Sequence, residues 1–534
     1  MDRYVLAYDI GTTGAKTCLY KIGGSLELVA SDLCEYPLYI LDNGGAEQDV
    51  EDWWNAMTVT TRAVLKESGV PADKIEGLSF CSQMQGLVLV DKEGKPLRRA
   101  MSYMDQRGGL QQKRGLKRGV KIAGMNAFRL LVSLFLTGGV SASVKDPLWK
   151  YKWVEDNEPE IFSRVHKWLD VKEALILRCT DRFVMTDDSA NATFIYNTRK
   201  GVRSWSRTLC RIFGVKSSHM PEIIGATESA GGLTESAAES LGLKAGIPVF
   251  GGGGDLTLIS LGSGMTEEND THIYMGTSGW VASVLKNRKV DLDSMIASIF
   301  GARPGYYNYI GEQETSGKCL EWVRDHLALD SIGIYLEKKE ISEDPETVYN
   351  TLYEYMSEVI SEVPPGSNGV IFTPWLHGNR APFEDPNARG IFFNINLNTG
   401  KRDMIRAVVE GMIFHNRWLL ESIEKNVPVG DVVRFAGGGA RSDVTCQILA
   451  DITGKTVEAL ADSKNTGAAG AAILCGLGLG IIKGYEEVKA LIPLRKTFQP
   501  RKENRHIYNK NFAVFKRLYG TNKKSFSQLN GGHK

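Results

Sequence analysis

Two near-identical tetrads, about half a chain apart, constrain the fold most strongly. Each has two hydroxyl-bearing residues between two glycines, and each lies between β-branched or aromatic runs, at residues 11–14 and 276–279. Such patterns predict two β-hairpins. Glycine lets backbone approach phosphate oxygens closely, and Thr or Ser adds hydrogen-bond donors. The repeat therefore predicts a duplicated ATPase core whose two tips hold one polyphosphate from both sides.

Length and composition limit the classes of protein that the chain can belong to. Its 534 residues exceed what one hydrophobic core serves, which predicts two large domains with a cleft between them. The 64 basic and 63 acidic residues leave a net charge of +1, so no overall field favours nucleic acid or an anionic membrane. A small polar substrate fits better.

Three features predict a cytoplasmic protein without a membrane segment. The eight cysteines are scattered and include no Cys-x-x-Cys pair, which is typical of reduced thiols. The N-terminus has no basic-then-apolar leader. No apolar run approaches the roughly 18 residues that a membrane helix needs.

Strand-like and helix-like stretches alternate along the chain, which indicates an α/β protein. The pattern predicts an amphipathic helix within residues 44–67, with acidic residues at its start, and strands at 77–81, 87–91 and 247–250. Residues 434–436 lead into a glycine triplet, and a helix capped by Ser442 or Asp443 runs to Gly454. We expect domains at 1–258 and 259–520 and a frayed polar tail at 521–534. The basic stretch 107–121 is predicted to be a solvated surface loop.

Two aspartates stand where chemistry is expected. Asp9 precedes the first tetrad, where a carboxylate can hold a Mg²⁺-bound water beside phosphates. The alternative is a turn aspartate that bonds its own backbone. Asp255 follows four consecutive glycines, more than an ordinary turn requires, so something must approach that backbone closely. Asp255 suits a general base that takes a proton from a substrate hydroxyl, and an Asx-type turn is the alternative.

Two glycine-rich helix starts lie in the second half. Residues 437–442 form a glycine turn directly before a helix. The free N–H groups at the start of that helix favour the binding of an anion. Residues 466–472 have tiny side chains that allow close approach of ligand or of another backbone; tight helix packing is the alternative. The chain has no zinc-ligand spacing, no Gly-x-Ser-x-Gly turn and no Walker pattern. Phosphate binding must therefore use another fold.

These motifs resemble the FGGY carbohydrate kinases, within the actin, Hsp70 and sugar kinase superfamily. The resemblance spans nearly the whole chain: 9–16 is similar to the first phosphate loop, 275–279 to the second, 436–442 to the adenosine motif, and 147–157 and 390–410 to the two family signatures. It implies two ribonuclease-H-like domains around a central cleft, with ATP and Mg²⁺ as cofactors. Asp255 stands where the family has its catalytic base.

Within the family the chain most resembles the xylulose kinase branch, through residues 46–49, 53–54, 158–162 and 436–442. Two positions depart from that branch: Gln85 replaces a histidine, and Leu256 replaces an asparagine. The resemblance implies phosphorylation of D-xylulose to D-xylulose 5-phosphate. The departures keep another ketose or polyol, such as ribulose, erythrulose or glycerol, as the alternative, because a buried unpaired hydroxyl costs roughly 1–3 kcal/mol.

The resemblance assigns roles to individual residues. Asp255 and Asp9 are the expected catalytic residues, and both are expected to serve Mg²⁺, Asp9 through water. The expected sugar contacts are Gln83, Met84, Gln85, Asp105 and Asp255. The expected ATP contacts are Gly11, Thr12, Thr13, Lys16, Gly276, Thr277, Ser278, Gly437, Gly438, Gly439, Ala440, Arg441 and Ser442.

Two rival functions and one assembly state complete the expectations. A nucleotide-switched scaffold like actin or Hsp70 would leave Asp255 and the polar loop around Gln83 unused. A catalytically inactive family member that binds sugar as a sensor would not need both phosphate turns. A homodimer is the default assembly.

Overall fold

Two mixed β-sheets, one in each half of the chain, form the centre of the molecule. The structure is a computed structural model that describes residues 2–122, 124–291, 293–328, 354 and 357–531. Strands of the first sheet are β1 (Arg3–Ile10), β2 (Gly14–Ile22), β3 (Leu26–Glu35), β4 (Ile75–Ser82), β5 (Ser229–Gly232), β6 (Pro248–Phe250) and β7 (Gly253–Gly254). Strands of the second are β8 (Thr271–Met275), β9 (Gly279–Leu285), β10 (Ala297–Phe300), β11 (Tyr307–Gln313), β12 (Val432–Ala436), β13 (Thr456–Leu460) and β14 (Leu494–Phe498).

The two sheets repeat one topology. In the first, the order is β5-β6-β4-β1-β2-β3, with β7 continuing beside β4. In the second it is β14-β13-β12-β8-β9-β11-β10. The central pairs β1–β4 and β8–β12 are parallel, whereas β1–β2 and β8–β9 are antiparallel hairpins. Both predicted hairpins are confirmed, and the duplicated α/β architecture with them.

Helices cover both sheets. They are α1 (Val50–Ser68), α2 (Gly109–Leu116), α3 (Ala127–Thr137), α4 (Pro147–Asn157), α5 (Pro159–Ser163), α6 (Val171–Thr180), α7 (Asp187–Ala192), α8 (Arg207–Phe213), α9 (Glu235–Leu241), α10 (Asp255–Gly262), α11 (Gly317–Val323), α12 (Lys401–Glu424), α13 (Asp443–Thr453), α14 (Thr466–Gly478), α15 (Tyr485–Leu491) and α16 (Arg505–Asn530). Short ribbons pair Tyr39–Ile40, Ala46–Gln48 and Ala100–Met101; Val88–Val90 and Lys167–Leu169; Lys121–Ile122 and Met125–Asn126; Val184–Thr186 and Glu222–Ile224; Tyr196–Asn197 and Ser204–Trp205; Ile371–Phe372 and Phe392–Phe393. No helix in the described ranges has the length and apolarity needed to cross a bilayer.

Local signals explain where the helices predicted from the sequence begin and end. Asp49 caps α1 by accepting from the Glu51 N–H at 3.0 Å, and Gly69 ends it with φ of +65°. Ser442 caps α13 by accepting from the Thr445 N–H at 3.2 Å. The short polar side chain satisfies an N–H group that the helix itself cannot. Both predicted helices are confirmed.

Helices α10 and α14 join the two halves. α14, from the second half, packs on β1 and β4 of the first sheet and against α10. The crossing is close: a Cβ on Gly262 would collide with the Thr466 carbonyl, and one on Gly470 with the Leu258 carbonyl. The small residues of α14 thus serve helix packing, the alternative considered above. The predicted boundary at 258/259 falls inside α10 and stays a prediction.

The frayed tail predicted at 521–534 is wrong for residues 521–530, which complete α16. Phe526 is buried, and its ring lies edge-on to Trp375 at 6.4 Å between centroids. Phe515, about three turns earlier on the same face of the helix, lies 5.7 Å from the same tryptophan between ring centroids. Burial of these rings stabilises the last turns of the helix. Residues 532–534 lie outside the described part of the chain.

Candidate active site

Three parallel strands deliver the predicted catalytic groups to one edge of the first sheet. Asp9, the next-to-last residue of β1, lies opposite Cys81 of β4, and β7 ends with Gly254 opposite Ser82. Because parallel strands end at the same edge, Asp9, the loop after β4 and Asp255 converge there. The crevice outside these carboxyl ends is where open α/β sheets bind ligands.

Asp255 is the first residue of α10, and its environment raises its proton affinity. Burial raises the pKa of the carboxyl to about 7, and the charges of Asp9 and Glu312 add to the effect. The Leu256 N–H donates to Asp255 Oδ1 at 2.8 Å and opposes the rise. A carboxyl that titrates near neutrality can accept a proton from an alcohol and release it again.

The four glycines before Asp255 are required by the protein's own packing. Gly252 has φ of +65°, and a Cβ there would collide with the backbone of Phe80. A Cβ on Gly254 would collide with the side chain of Met84. The predicted close approach is confirmed, and the atoms that approach belong to the protein itself. The sequence could not identify them, because β4 and its loop are distant along the chain.

The first hairpin tip is held by its carbonyl oxygens. Gly11 O accepts from Tyr36 Oη at 2.6 Å and from Gln83 Nε2 at 2.9 Å. Thr12 O accepts from Gln48 Nε2 at 2.7 Å. Carbonyl oxygens repel phosphate, so binding them inside the protein leaves N–H groups and hydroxyls to face an anion. Tyr36 and Gln48 are functional candidates that the sequence did not identify.

The second tip is held in the same way. Gly276 O accepts from the Gly317 N–H at 2.7 Å, and Thr277 O accepts from the Ser316 N–H at 3.2 Å. Both donors belong to the start of α11. Thr277 and Ser278 are exposed, as is Thr13 at the first tip. The two hairpin tips are equivalent, and the carbonyl oxygens of both are hydrogen-bonded within the protein, which is consistent with the predicted pair of phosphate-binding turns.

The glycine turn at 437–442 packs on the strand that leads to the second tip. Gly437 has φ of +86°, and a Cβ there would collide with the backbone of Met275. Gly438–Arg441 form a 3₁₀ turn, in which Ala440 is buried and its carbonyl accepts from Arg495 Nη2 at 2.9 Å. The predicted adenosine turn and the predicted second phosphate turn are therefore neighbours.

Lys16 links the first hairpin to the second half. Its Nζ donates to Oδ1 of Asn465 at 2.9 Å, and Asn465 is the residue directly before α14. Asn465 in turn donates to Asp462, which also accepts from Tyr20 Oη at 3.2 Å. The predicted ATP contact is thus tied to the residue before a helix whose N-terminus faces the same edge.

Asp105 has no exposed surface, so it cannot touch a ligand in this conformation. Its Oδ2 accepts from the Ala46 N–H at 3.0 Å and from Arg107 Nη2 at 2.6 Å. Arg107 also pairs with Glu47 and lies over the Trp153 ring at 4.4 Å. The surface prediction for 107–121 is wrong for Arg107, whose side chain is buried, and residues 109–116 form a helix and not the predicted loop. Lys113, Arg114 and residues 117–121 are exposed, as predicted. Asp105 supports the wall of the site.

The loop after β4 is held in place by hydrogen bonds from buried side chains. Gln83 donates to the first hairpin, as above, and to Gln48 Oε1 at 2.9 Å, so its amide nitrogen serves the tip. Gln85 has φ of +62°, and its carbonyl accepts from Lys150 Nζ at 2.7 Å. Burial lowers the pKa of the fully buried Lys150 to about 8, against the opposing pull of Asp105. The side chains of Met84 and Gln85 remain partly exposed.

Asp9 is a partly buried carboxyl just before the first tip. Burial raises the pKa of its carboxyl, and the charge of Lys16 and a bond from Cys81 oppose the rise. Asp9 forms no ion pair among the described residues. Within that same part of the chain no cluster of three or more His, Cys, Asp or Glu side chains could hold a metal. Mg²⁺ suits such a site because it keeps several waters and few protein ligands.

Comparison with known proteins identifies the family. A sequence model of the N-terminal domain of FGGY carbohydrate kinases matches residues 4–262, and one of the C-terminal domain matches residues 272–479. The chain belongs to the FGGY family of carbohydrate kinases. It has the two-domain fold of that family, which is the actin/Hsp70-like fold predicted above.

Relatives of similar sequence identity are named as kinases of different substrates. A xylulose kinase from Staphylococcus epidermidis is 29% identical over 98% of both chains, and a gluconokinase from Bacillus subtilis is 27% identical over 99% of this chain and 98% of its own. The crystal structure of a ligand-bound xylulose kinase from Lactobacillus acidophilus superposes with a TM-score of 0.84 at 24% identity, over 99% of this chain and all of its own. These comparisons support a sugar kinase and leave its sugar open.

Proposed function

We propose that this FGGY kinase transfers the γ-phosphate of ATP to a hydroxyl of a neutral sugar, with D-xylulose as the first candidate and D-xylulose 5-phosphate as the product. Asp255 takes the proton from the attacking hydroxyl, the oxygen forms its bond to phosphorus, and ADP leaves. The observation that carries the proposal is a carboxyl with a pKa of about 7 at the edge where both Asp9 and the first phosphate tip lie.

The other residues bind and orient. The N–H groups and hydroxyls of the two tips and the turn at 437–442 are proposed to hold ATP, and the side chains of Met84 and Gln85 to contact the sugar. Gln83 and Asp105 are proposed to support these contacts from behind. Asp9, through water, and Asp255 would hold Mg²⁺, which neutralises charge on phosphate oxygens when bound. Closure of the cleft excludes water as a competing acceptor.

The charges around Asp255 support a neutral acceptor. Asp9, Asp170 and Glu312 all raise its pKa. Arg98 and Arg107, on the same side of the first domain, are both paired with Glu47. Glu312 is paired with Arg380, whereas Asp9 and Asp170 form no ion pair among the described residues, so these two carboxylates would repel an anionic acceptor such as gluconate.

The departures at Gln85 and Leu256 favour a second candidate, a kinase of another neutral ketose or polyol. The partly exposed amide side chain of Gln85 presents a different hydrogen-bonding group from an imidazole. Leu256 removes an amide next to the base. Ribulose, erythrulose and glycerol are the acceptors to compare. The homodimer and the cytoplasmic location stay predictions.

ADP release with Mg²⁺-ATP tests the proposal. D-xylulose, the alternative sugars and gluconate are compared with a blank without sugar, and each product is identified by NMR. We expect turnover with a neutral sugar and a loss of roughly a hundredfold or more in kcat for Asp255→Asn, while the exposed control Asp42→Asn keeps normal turnover. Slow hydrolysis independent of sugar would indicate a scaffold, and sugar binding without turnover a sensor.

A further inference from the structure

A buried group of charged and hydroxyl side chains lies behind the proposed base. We name it the Lys172 cluster; it consists of Lys172, Glu173, Thr186, Asp188 and Ser189. Lys172 and Glu173 are fully buried and form an ion pair. Lys172 Nζ also donates to Thr186 Oγ1 at 2.7 Å and to Ser189 Oγ at 2.6 Å. A buried charge is costly unless its partners are correctly placed, so this arrangement fixes a geometry.

An unbroken chain of hydrogen bonds runs from this cluster to the residue before the base. Thr186 Oγ1, which accepts from Lys172, donates to Asp188 Oδ1 at 2.5 Å. Asp188 Oδ2 accepts from the Gly254 N–H at 2.7 Å. Gly254 carries the peptide bond to Asp255 and caps α10 with its backbone alone. The carboxylate of Asp188 therefore holds the Gly253–Gly254 peptide, one residue before the base.

The same segment holds the opposite wall of the site. Asp170, two residues before Lys172 and the cap of α6, accepts from the Gly86 N–H at 2.8 Å. Gly86 ends the loop that contains Met84 and Gln85. One rigid turn of chain thus fixes both the proposed sugar loop and, through the Lys172 cluster, the proposed base.

We propose that Lys172 is a positioning residue for phosphoryl transfer, acting through Thr186 and Asp188 to set Asp255 relative to the sugar loop. This inference rests on the proposed function, because it needs Asp255 as the base. Charge-assisted bonds are stronger and more directional than neutral ones, which suits a group that must hold one peptide in place. Small displacements of a catalytic group reduce the rate steeply.

Thr186→Val tests the inference, because it removes the hydroxyl that joins Lys172 to Asp188 and nearly preserves the side-chain shape. We expect kcat to fall roughly tenfold or more, with the KM for ATP unchanged because, among the described residues, neither phosphate tip hydrogen-bonds to the cluster. Thr186→Ser restores the hydroxyl and should recover most of the loss. A role in stability alone would lower the melting temperature without this split between kcat and KM.

A matched control separates positioning from folding. Thr61→Val removes a buried hydroxyl that bonds Tyr8 Oη at 3.1 Å in the same domain and lies outside the Lys172 cluster. This variant should keep kcat within about twofold. If Thr186→Val keeps normal kcat, or if Thr61→Val loses as much, the inference is overturned. If Asp255→Asn keeps its turnover, the proposed base is wrong; an inactive Asp255→Asn with an active Thr186→Val refutes only the positioning role.

Discussion

Replacing Asp255 by asparagine should stabilise the protein while removing its turnover. The pKa of this carboxyl lies at about 7 in the folded protein, against an ordinary value of 3.8, chiefly because it is buried. A difference of about 3 pKa units corresponds to about 4 kcal/mol at 1.36 kcal/mol per unit. This free energy is the cost of keeping the carboxylate ionised in the site. Asparagine has no charge to bury and can still accept from the Leu256 N–H.

The expected gain depends on pH with a definite sign. Above pH 7 the carboxyl is ionised in both the folded and the unfolded chain, so the wild type bears the full cost. As the pH falls from 7 towards 3.8, the folded protein takes up the proton first and the cost declines, by about 1.4 kcal/mol per pH unit. The stability advantage of the Asp255→Asn variant should decline in the same interval and vanish below it.

Chemical and thermal unfolding from about pH 5 to about pH 8.5 measures this advantage. The control is Asp42→Asn, an exposed aspartate in the same domain, which should show no comparable dependence. The chain has two domains, so the transition that reports the first domain is the one to compare. No gain in stability at about pH 8, or a gain that stays constant below pH 7, would refute the electrostatic account of Asp255.

Three further results are expected. The kcat/KM for the sugar should fall tenfold per pH unit below an apparent pKa of about 7, because the proposed base Asp255 must be deprotonated; a profile flat down to about pH 5 would contradict this role. Gly254→Ala should lower stability by about 1–3 kcal/mol through its collision with Met84, whereas Gly23→Ala, with open space around its Cβ, should be neutral in the same unfolding assay. Phe526→Ala should lower the free energy of unfolding by about 3 kcal/mol in denaturant. An unchanged unfolding midpoint would instead support the prediction that this C-terminal segment is frayed.

The sequence predicted the elements whose signals are local. The paired tetrads identified both hairpins, and Ser442 identified one helix start, because turn chemistry and capping act within a few residues. The polar composition of the C-terminal segment gave a wrong prediction. Its apolar residues Phe512, Phe515 and Phe526 follow helical spacing, and this pattern is the signal that could have predicted the helix.

Contacts between distant segments could not be predicted. Asp105 was expected at the sugar because its motif resembles a family pair, yet folding brings Arg107 and the Ala46 N–H to both sides of its carboxylate. The Lys172 cluster has no sequence pattern of its own, because its members come from α6 and from the start of α7. Hydrogen bonds of this kind are determined by tertiary packing and not by spacing along the chain.

The duplicated topology gives equivalent positions different tasks. β1 and β8 both lead into a phosphate tip, and β4 and β12 lead into the proposed sugar loop and the proposed adenosine turn. The helices that follow β7 and β13, α10 and α14, pack against each other at Gly262 and Gly470. The N-cap of α10 is Gly254, directly before Asp255, and the N-cap of α14 is Asn465. Asp255 is proposed to receive the proton of the sugar, whereas Asn465 binds Lys16, a proposed ATP contact, so the two packed helices begin at residues with different proposed tasks.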